Sequence, residues 1–114
     1  MNANISSSER LSLISFYDFE LDDGSVVRLT SSFWGQKKLR EINPDAAKRM
    51  NAILQNEKAP AMDEIIELLY ICYLSACNLT GETPIDEELF YIECGNDIGG
   101  CMEAFKELFT PKKK

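Results

Sequence analysis

Residues 62–79 read MDEIIELLYICYLSACNL, and this run is apolar on nearly every side of the helix that it predicts. A surface helix carries a single apolar stripe, so a helix of this kind must be surrounded by other structure. Acidic residues near its start and Asn78 near its end leave too short an apolar run for a membrane span. The run therefore predicts a core helix from about Met62 to Leu79, covered either by the rest of the chain or by a partner.

A β-hairpin is predicted upstream of this helix. Residues 16–21 and 26–30 alternate apolar and polar side chains, and Asp22-Asp23-Gly24 lies between them. A three-residue loop with Gly24 in the left-handed region gives a register that puts the apolar side chains on one face. That register pairs Phe19 with Val27 and Tyr17 with Leu29. Because an isolated hairpin is marginal in water, its apolar face must lie on helices or on another copy of the chain.

Four further helices are predicted around the core helix, because the apolar period changes from two to about 3.6 after the hairpin. Their expected bounds are Phe33 to about Ile42 with Ser31 or Ser32 as the cap, Pro44 to about Asn56, Pro84 to about Ile92 with Thr83 as the cap, and about Asp97 to Phe109. The last helix carries an apolar stripe of Ile98, Cys101, Met102, Phe105, Leu108 and Phe109. We expect one core that contains Ile66, Leu69, Tyr73, Ile98, Met102 and Phe105.

The predicted fold class is α+β and mainly helical, with an N-terminal β-hairpin followed by four to five helices. A chain of 114 residues has room for one domain, which we place at residues 14–110. Residues 1–13 are rich in asparagine and serine and predict a flexible N-terminal segment. Residues 111–114 predict a flexible basic tip, because Pro111 stops the preceding helix and three lysines follow it.

The sequence contains no histidine, and this absence narrows the chemistry that it can perform. Histidine is the usual proton carrier near neutral pH and the commonest metal ligand. Serine–histidine and cysteine–histidine nucleophiles are therefore excluded, as are most zinc and iron sites. The four cysteines form no Cys-x-x-Cys pair, and Cys72, Cys77 and Cys101 lie in apolar patterns typical of buried residues. We expect no enzymatic activity, no catalytic residue, no cofactor and no metal site.

Two motifs that resemble chemical sites have ordinary structural interpretations. Residues 94–100 (CGNDIGG) are glycine-rich, but they lack the lysine of a phosphate-binding loop, and Asp97 would repel phosphate. We interpret them as a turn and a helix N-cap. Asp86-Glu87-Glu88 brings three carboxylates together. We interpret them as part of a first helical turn, where the helix dipole favours negative charge.

The charge is uneven along the chain, whose net charge is −7. Residues 28–49 contain six bases and two acids, whereas residues 80–110 contain eight acids and one base. An acidic body repels phosphate backbones, so we expect no nucleic-acid partner. Both segments can be solvated helix faces. Alternatively, the basic segment of one molecule meets the acidic segment of another, which predicts a homo-oligomer through basic and acidic patches.

Two pairs of adjacent aromatic residues, Phe33-Trp34 and Phe90-Tyr91, indicate a contact surface. Neighbours on a helix cannot both face one core, so one member of each pair is either partly buried or at an interface. The candidate partner-binding residues are Phe33, Trp34, Lys37, Lys38, Phe90, Tyr91 and Phe109. The polar start, Met1–Ser12, carries no apolar secretion signal, so we expect a cytoplasmic protein without a membrane partner.

The order of these parts resembles a known family. A hairpin that reads YDFELDDGSVVRL at residues 17–29 is followed by FWGQKKLR at 33–40, an apolar helix, and an acidic helix pair that closes on FKELF at 105–109. This arrangement resembles the tail assembly chaperones of long, non-contractile-tailed phages and their prophages. The resemblance covers about residues 16–114.

The resemblance implies an α+β fold and a non-enzymatic role in the cytoplasm of a bacterial host. Such proteins keep the long tape measure protein soluble and elongated while the tail tube polymerises around it. They self-associate and are displaced as the tail is built, so the implied partners are the tape measure protein and other tail proteins. A structural virion component, such as a head–tail connector or a minor tail protein, is the alternative. That component would be present in purified particles, whereas a chaperone would be absent.

The three terminal lysines have two interpretations. They form a solubilising basic tip, or their codons form a run of adenines on which ribosomes slip backward by one base. The resemblance implies the second interpretation, because tail assembly chaperones are often made in two lengths by ribosomal slippage. The gene sequence distinguishes the two.

Overall fold

The computed structural model describes residues 11–110, and within them an antiparallel hairpin precedes five helices. This arrangement confirms the predicted α+β class. Leu11 and Ser12 belong to a helical turn, and the Ile14 N–H donates to the Leu11 carbonyl at 3.1 Å. The predictions for residues 1–10 and for the basic tip at 111–114 lie outside the described residues. The elements are β1 (Tyr17–Glu20), β2 (Val26–Leu29), α1 (Phe33–Ile42), α2 (Pro44–Gln55), α3 (Met62–Thr80), α4 (Glu87–Cys94) and α5 (Ile98–Phe109).

The hairpin has the predicted register and the predicted three-residue loop. Tyr17 pairs with Leu29 and Phe19 pairs with Val27. The loop closes because the Leu21 N–H donates to the Ser25 carbonyl at 2.8 Å and the Gly24 N–H donates to the Leu21 carbonyl at 2.9 Å. Gly24 has φ +88°, a conformation that glycine adopts without strain.

The apolar face of the hairpin lies on helices of the same chain. Phe19 and Leu29 are buried, and the Phe19 ring stacks on Phe90 of α4 with 6.1 Å between the ring centroids. Phe90 also contacts Tyr70 and Tyr73 of α3 at 5.2 and 5.6 Å. This aromatic cluster joins the hairpin to α3 and α4, so no second copy of the chain is required to cover the hairpin.

Helix α3 is the core helix, and the rest of the chain covers it. Leu68, Leu69 and Cys72 are completely buried, and further buried side chains occur on the other sides of the helix. The helix ends where Gly81 adopts φ +82° and its N–H donates to the Cys77 carbonyl at 2.8 Å. The sequence left open whether the chain or a partner surrounds this helix, and the structure answers that the chain does.

Thr30 joins the hairpin to the core helix. Its backbone N–H donates to the Cys72 carbonyl of α3 at 3.2 Å. Its hydroxyl donates to the Ser15 carbonyl at 2.9 Å and accepts from the Ser32 N–H at 3.2 Å. Ser32 in turn caps α1, because its side chain accepts from the Gly35 N–H at 3.2 Å. The position of α1 on α3 therefore follows from Thr30.

Helix α1 crosses α3 closely at Gly35. A methyl group at this position would lie 3.1 Å from the Ser32 hydroxyl, 3.2 Å from the Thr30 methyl and 3.5 Å from the Ser75 Cβ. Ser75 is completely buried, and its hydroxyl has no hydrogen-bond partner among the described residues. Small side chains on both helices thus allow the close crossing.

The start of α4 differs from the prediction, which placed it at Pro84. The helix begins at Glu87, and Asp86 rather than Thr83 is its cap. The tyrosines of α3 explain the difference, because the Tyr73 hydroxyl accepts from the Ile85 N–H at 3.0 Å and the Tyr70 hydroxyl donates to the Ile85 carbonyl at 2.8 Å. These bonds hold both backbone groups of Ile85 outside a helix.

The predicted core is partly correct. Leu69 and Tyr73 are buried, and Ile66 and Phe105 pack partly buried against the same cluster. Met102 is only half-buried, and the prediction for Ile98 is wrong because this side chain is 62% exposed at the first position of α5. The buried positions of α5 are instead Cys101 and Ala104, whose small side chains allow α5 to approach α3.

We expect Leu69→Ala to lower the free energy of unfolding by about 2–5 kcal/mol, because it leaves a cavity in the completely buried face of α3. The matched control is Ile98→Ala, which removes a similar side chain from the surface. It should change the free energy of unfolding by less than about 0.5 kcal/mol. Chemical denaturation measures both. A Leu69→Ala loss as small as the control's would show that this face of α3 is not the core.

A second pair of variants tests the α1–α3 crossing. Gly35→Ala should destabilise the protein by about 1 kcal/mol or more, because hydrogen bonds fix the Ser32 and Thr30 side chains that the new methyl group meets. Gly99→Ala in α5 meets open space and should stabilise the protein by about 0.5 kcal/mol through helix propensity. Thermal and chemical denaturation compare the two. Equal gains from both variants would contradict the close crossing.

Candidate partner-binding surface

The structure separates the seven predicted partner-binding residues into two groups. Phe33, Trp34, Lys37 and Lys38 lie together on α1 and form what we call the α1 surface. The other three, Phe90, Tyr91 and Phe109, lie on α4 and α5 and are buried or partly buried. The seven residues therefore divide into an exposed group on α1 and a packed group on α4 and α5.

The α1 surface presents two aromatic rings to solvent. Phe33 is 89% exposed and Trp34 is 50% exposed. Both point away from the core because Gly35 and Leu39, four residues apart on the same helix, supply the buried side of α1. The sequence left open whether one member of this pair is partly buried or at an interface, and the structure exposes both.

Lysines flank the Trp34 ring. The Lys37 and Lys38 Nζ atoms lie 5.9 and 5.1 Å from the centroid of a Trp34 ring, within the range of a cation–π interaction. Both lysines also pair with Glu41, at 2.9 and 3.5 Å. The Glu41 pKa is lowered by the Lys37 hydrogen bond and by the charges of Lys37 and Lys38. The α1 surface thus combines apolar rings with a short cationic edge.

Phe90 is not available to a partner, so its assignment as a binding residue is corrected. The side chain is completely buried in the aromatic cluster with Phe19, Tyr70 and Tyr73. The Phe109 ring is partly buried and lies 5.5 Å from Phe105 between ring centroids. Both aromatic side chains therefore contribute to the packing of the domain.

Tyr91 is half-buried and is attached to α3. Its hydroxyl donates to the Asp63 carbonyl at 3.0 Å. Burial, followed by the negative charges of Glu67 and Glu87, raises the pKa of Tyr91 to about 12. The phenol is therefore neutral near pH 7, and it acts there as a hydrogen-bond donor between helices.

A shallow groove between α1 and α2 lies beyond the predicted residues. It has a volume of about 230 Å³ and is lined by Arg40, Pro44, Ala47, Lys48 and Asn51. The two helices meet at Asn43, whose side-chain carbonyl accepts from the Asn78 amide at 2.9 Å, which attaches their corner to α3. We call this feature the α1–α2 groove. Sequence reasoning missed it because it depends on how two consecutive helices fold back on each other.

Ion pairs within the chain neutralise part of the basic segment. Arg28 pairs with Glu82 at 3.4 Å, and Arg49 pairs with Glu67 at 2.9 Å and with Glu64 at 3.7 Å. By contrast, Arg40 and Lys48 form no ion pair with the described residues. Arg40 and Lys48 are thus the two bases of residues 28–49 without an ion pair in the described part of the chain, and both line the α1–α2 groove.

Exposed apolar side chains also occur on the last two helices. Leu89 and Ile92 are three residues apart on α4, so they share one side of the helix, and Ile98 starts α5. All three side chains are exposed. We call these three side chains the α4–α5 surface. They lie within the acidic segment at residues 80–110, whose net charge is opposite to that of the basic segment that contains the α1 surface.

The glycine-rich residues 94–100 form the predicted turn and N-cap. Gly95 has φ +60°, and the Asp97 carboxylate accepts from the Gly100 N–H at 3.0 Å. A carboxylate therefore already occupies the start of α5, where an anion would bind. The Asp86 carboxylate caps α4 by accepting from the Leu89 N–H at 2.8 Å, and Glu87 and Glu88 form its first turn, as predicted.

The thiols offer no reactive group at the surface. All four cysteines are free and buried, which includes the three predicted to be buried. Burial raises the pKa of Cys72, and a hydrogen bond to Cys101, together with burial, raises the pKa of Cys94. Among residues 11–110, no three acidic or cysteine side chains come together in a way that could hold a metal ion. In the same part of the chain, no helix is long and apolar enough to cross a membrane.

Comparison of the chain with models of known protein families, with curated proteins and with solved structures finds no match. The function must therefore be argued from the chemistry of the exposed surfaces.

Proposed function

We propose that this protein is a non-enzymatic tail assembly chaperone of a long, non-contractile-tailed phage or prophage. In this role it binds helical segments of the tape measure protein in the cytoplasm of the bacterial host. The proposal is supported by the order of the sequence parts and, above all, by the exposure of Phe33 and Trp34 on one helix.

Exposed aromatic rings suit this role because they bury a large apolar area when a partner covers them. Tryptophan and other aromatic side chains contribute a large share of the binding energy at many protein interfaces. An amphipathic helix of the tape measure protein would place its apolar stripe on the two rings. Because Gly35 and Leu39 are buried on the opposite side, α1 presents the rings from a fixed position.

Self-association through basic and acidic patches is part of the same proposal. The α1 surface carries Lys37 and Lys38 beside its aromatic rings, and the α4–α5 surface carries aliphatic side chains within the acidic segment. Contact between two different patches is heterologous, so it extends into rings or spirals rather than closing as a dimer. Because the same α1 surface would bind the tape measure helix, self-association and binding of the tape measure protein compete at each copy.

The test of the proposed function is co-expression with the tape measure protein encoded by the same phage. We expect the wild-type protein to keep the tape measure protein soluble, and Phe33→Ala with Trp34→Ala to abolish this effect because both apolar contacts are lost. The double variant should lower the free energy of unfolding by about 1–2 kcal/mol, chiefly because Trp34 is half-buried, and the protein should remain folded.

The control for the co-expression experiment is Leu54→Ala, which removes an exposed apolar side chain from α2 and should leave the tape measure protein soluble. Equal amounts of soluble tape measure protein with the aromatic variant and with the wild-type protein would contradict the proposed site. Recovery of this protein in purified virions would favour a structural virion component over a chaperone.

The dependence of the average mass on salt concentration tests the proposed self-association. The Debye length falls from about 8 Å at physiological salt to about 3 Å at 1 M, so the average mass by light scattering should decrease as salt rises. Lys37→Glu with Lys38→Glu should reduce association, whereas Lys112→Glu with Lys113→Glu changes the net charge equally and should not. A mass that is independent of salt and of the α1 variant would refute the electrostatic contact.

A further inference from the structure

We propose that the α1–α2 groove, together with the α1 surface, binds an acidic amphipathic helix of the partner protein. The apolar side chains of that helix would cover Phe33 and Trp34, and its carboxylates would pair with Arg40 and Lys48. This inference rests on the proposed function only for the identity of the partner, because the binding chemistry follows from the groove itself.

The six bases of residues 28–49 differ in whether they have an acidic partner within the chain. Arg28, Lys37, Lys38 and Arg49 have acidic partners within the chain, at 2.9 to 3.5 Å for their nearest contacts. Arg40 and Lys48 have no such partner among residues 11–110, although both are exposed and line the same groove. Two uncompensated cations therefore converge on one place of a protein with a net charge of −7.

The groove has an apolar as well as a basic lining. Pro44 and Ala47 line it together with the two bases, so a ligand that fills it offers apolar contact as well as negative charge. A small inorganic anion offers no apolar contact. A nucleic acid would bring many phosphates against the acidic remainder of the protein. An amphipathic helix with acidic residues beside its apolar stripe satisfies both requirements.

The exposed aromatic and basic side chains of α1 follow the helical period. Phe33, Lys37 and Arg40 are exposed at intervals of four and three residues, so they lie along one side of the helix. At a rise of 1.5 Å per residue, Phe33 and Arg40 are about 10 Å apart along the axis. A partner helix that lies along α1 would thus carry its apolar anchor and its first acidic residue about seven residues apart.

The remaining charge of the protein disfavours binding of an acidic helix at the acidic segment. Residues 80–110 carry eight acids and one base, so they repel an acidic helix. The basic segment contains the α1 surface and both cations of the groove. Attraction by the bases of the groove and repulsion by the acidic segment favour binding of an acidic helix at the groove.

Trp34 is the only tryptophan in the chain, so its fluorescence reports directly on this surface. The probes are two tryptophan-free helical peptides of about 20 residues with the same leucine stripe, long enough to form helix in water. One carries glutamates seven residues from a central leucine, and the other carries glutamines at the same positions. We expect the glutamate peptide to bind the wild-type protein about five- to tenfold more tightly, which corresponds to two exposed ion pairs.

The test variant is Arg40→Gln with Lys48→Gln, and it should abolish the preference for the glutamate peptide while leaving binding of the glutamine peptide unchanged. The matched control, Lys58→Gln with Lys106→Gln, removes two positive charges elsewhere and should keep the preference. Equal affinity of the wild-type protein for the two peptides would overturn the inference, as would equal loss in the control. Stronger binding of duplex DNA than of the glutamate peptide would also overturn it.

The two proposals can fail separately. If the Arg40→Gln, Lys48→Gln variant keeps the tape measure protein soluble and the wild-type protein shows no preference between the peptides, the inference fails and the proposed function stands. If the peptide preference and its loss occur as expected but the tape measure protein is not bound, the groove has the proposed chemistry and serves another partner.

Discussion

The hydrogen bond from the Thr30 N–H to the Cys72 carbonyl connects the hairpin to the core helix. Cys72 lies at the centre of the core helix, where it is completely buried, and Thr30 is the residue at which the hairpin ends. Buried backbone groups must find partners, so this bond fixes where the hairpin meets α3. The Thr30 hydroxyl also bonds to Ser15 and Ser32, so the same residue determines where α1 begins.

The position of the candidate site follows from this junction. Ser32 caps α1, and Gly35 lies against α3. Phe33 and Trp34, which come between them in the chain, therefore lie on the side of the first helical turn that faces away from the core. The Ser31 hydroxyl donates to the Leu108 carbonyl at 2.6 Å, which attaches the start of α1 to the end of α5 as well. The aromatic rings are thus exposed on a helix whose first turn is held at several points.

Much of the fold could be predicted from local patterns in the sequence. The alternation in residues 16–30 and the position of Gly24 determined the hairpin register, and the all-round apolar character of residues 62–79 identified the core helix. These features depend on neighbours in the chain, which is why the sequence reveals them.

Features that depend on contacts distant in the chain could not be predicted in the same way. The tyrosine hydroxyls of α3 hold Ile85 outside a helix, although Thr83-Pro84 is a good start signal. Phe90 is buried because Phe19, Tyr70 and Tyr73 surround it, whereas its pairing with Tyr91 suggested a surface. The α1–α2 groove likewise exists only once two helices pack, so Arg40 and Lys48 carried no signal of their own.

The energetics of the exposed surfaces suit a binding protein that must later release its partner. Aromatic side chains on a fixed helix lose little conformational entropy when they are covered, so they contribute net binding energy. The ion pairs that Arg40 and Lys48 could make are exposed, and such pairs contribute at most about 1 kcal/mol each and weaken with salt. Affinity therefore depends mainly on the apolar contact, while the charges determine which helix binds and in which orientation. In the proposed role, the polymerising tail tube would displace the chaperone by competing for the apolar stripe of the tape measure protein, without having to break a buried ion pair.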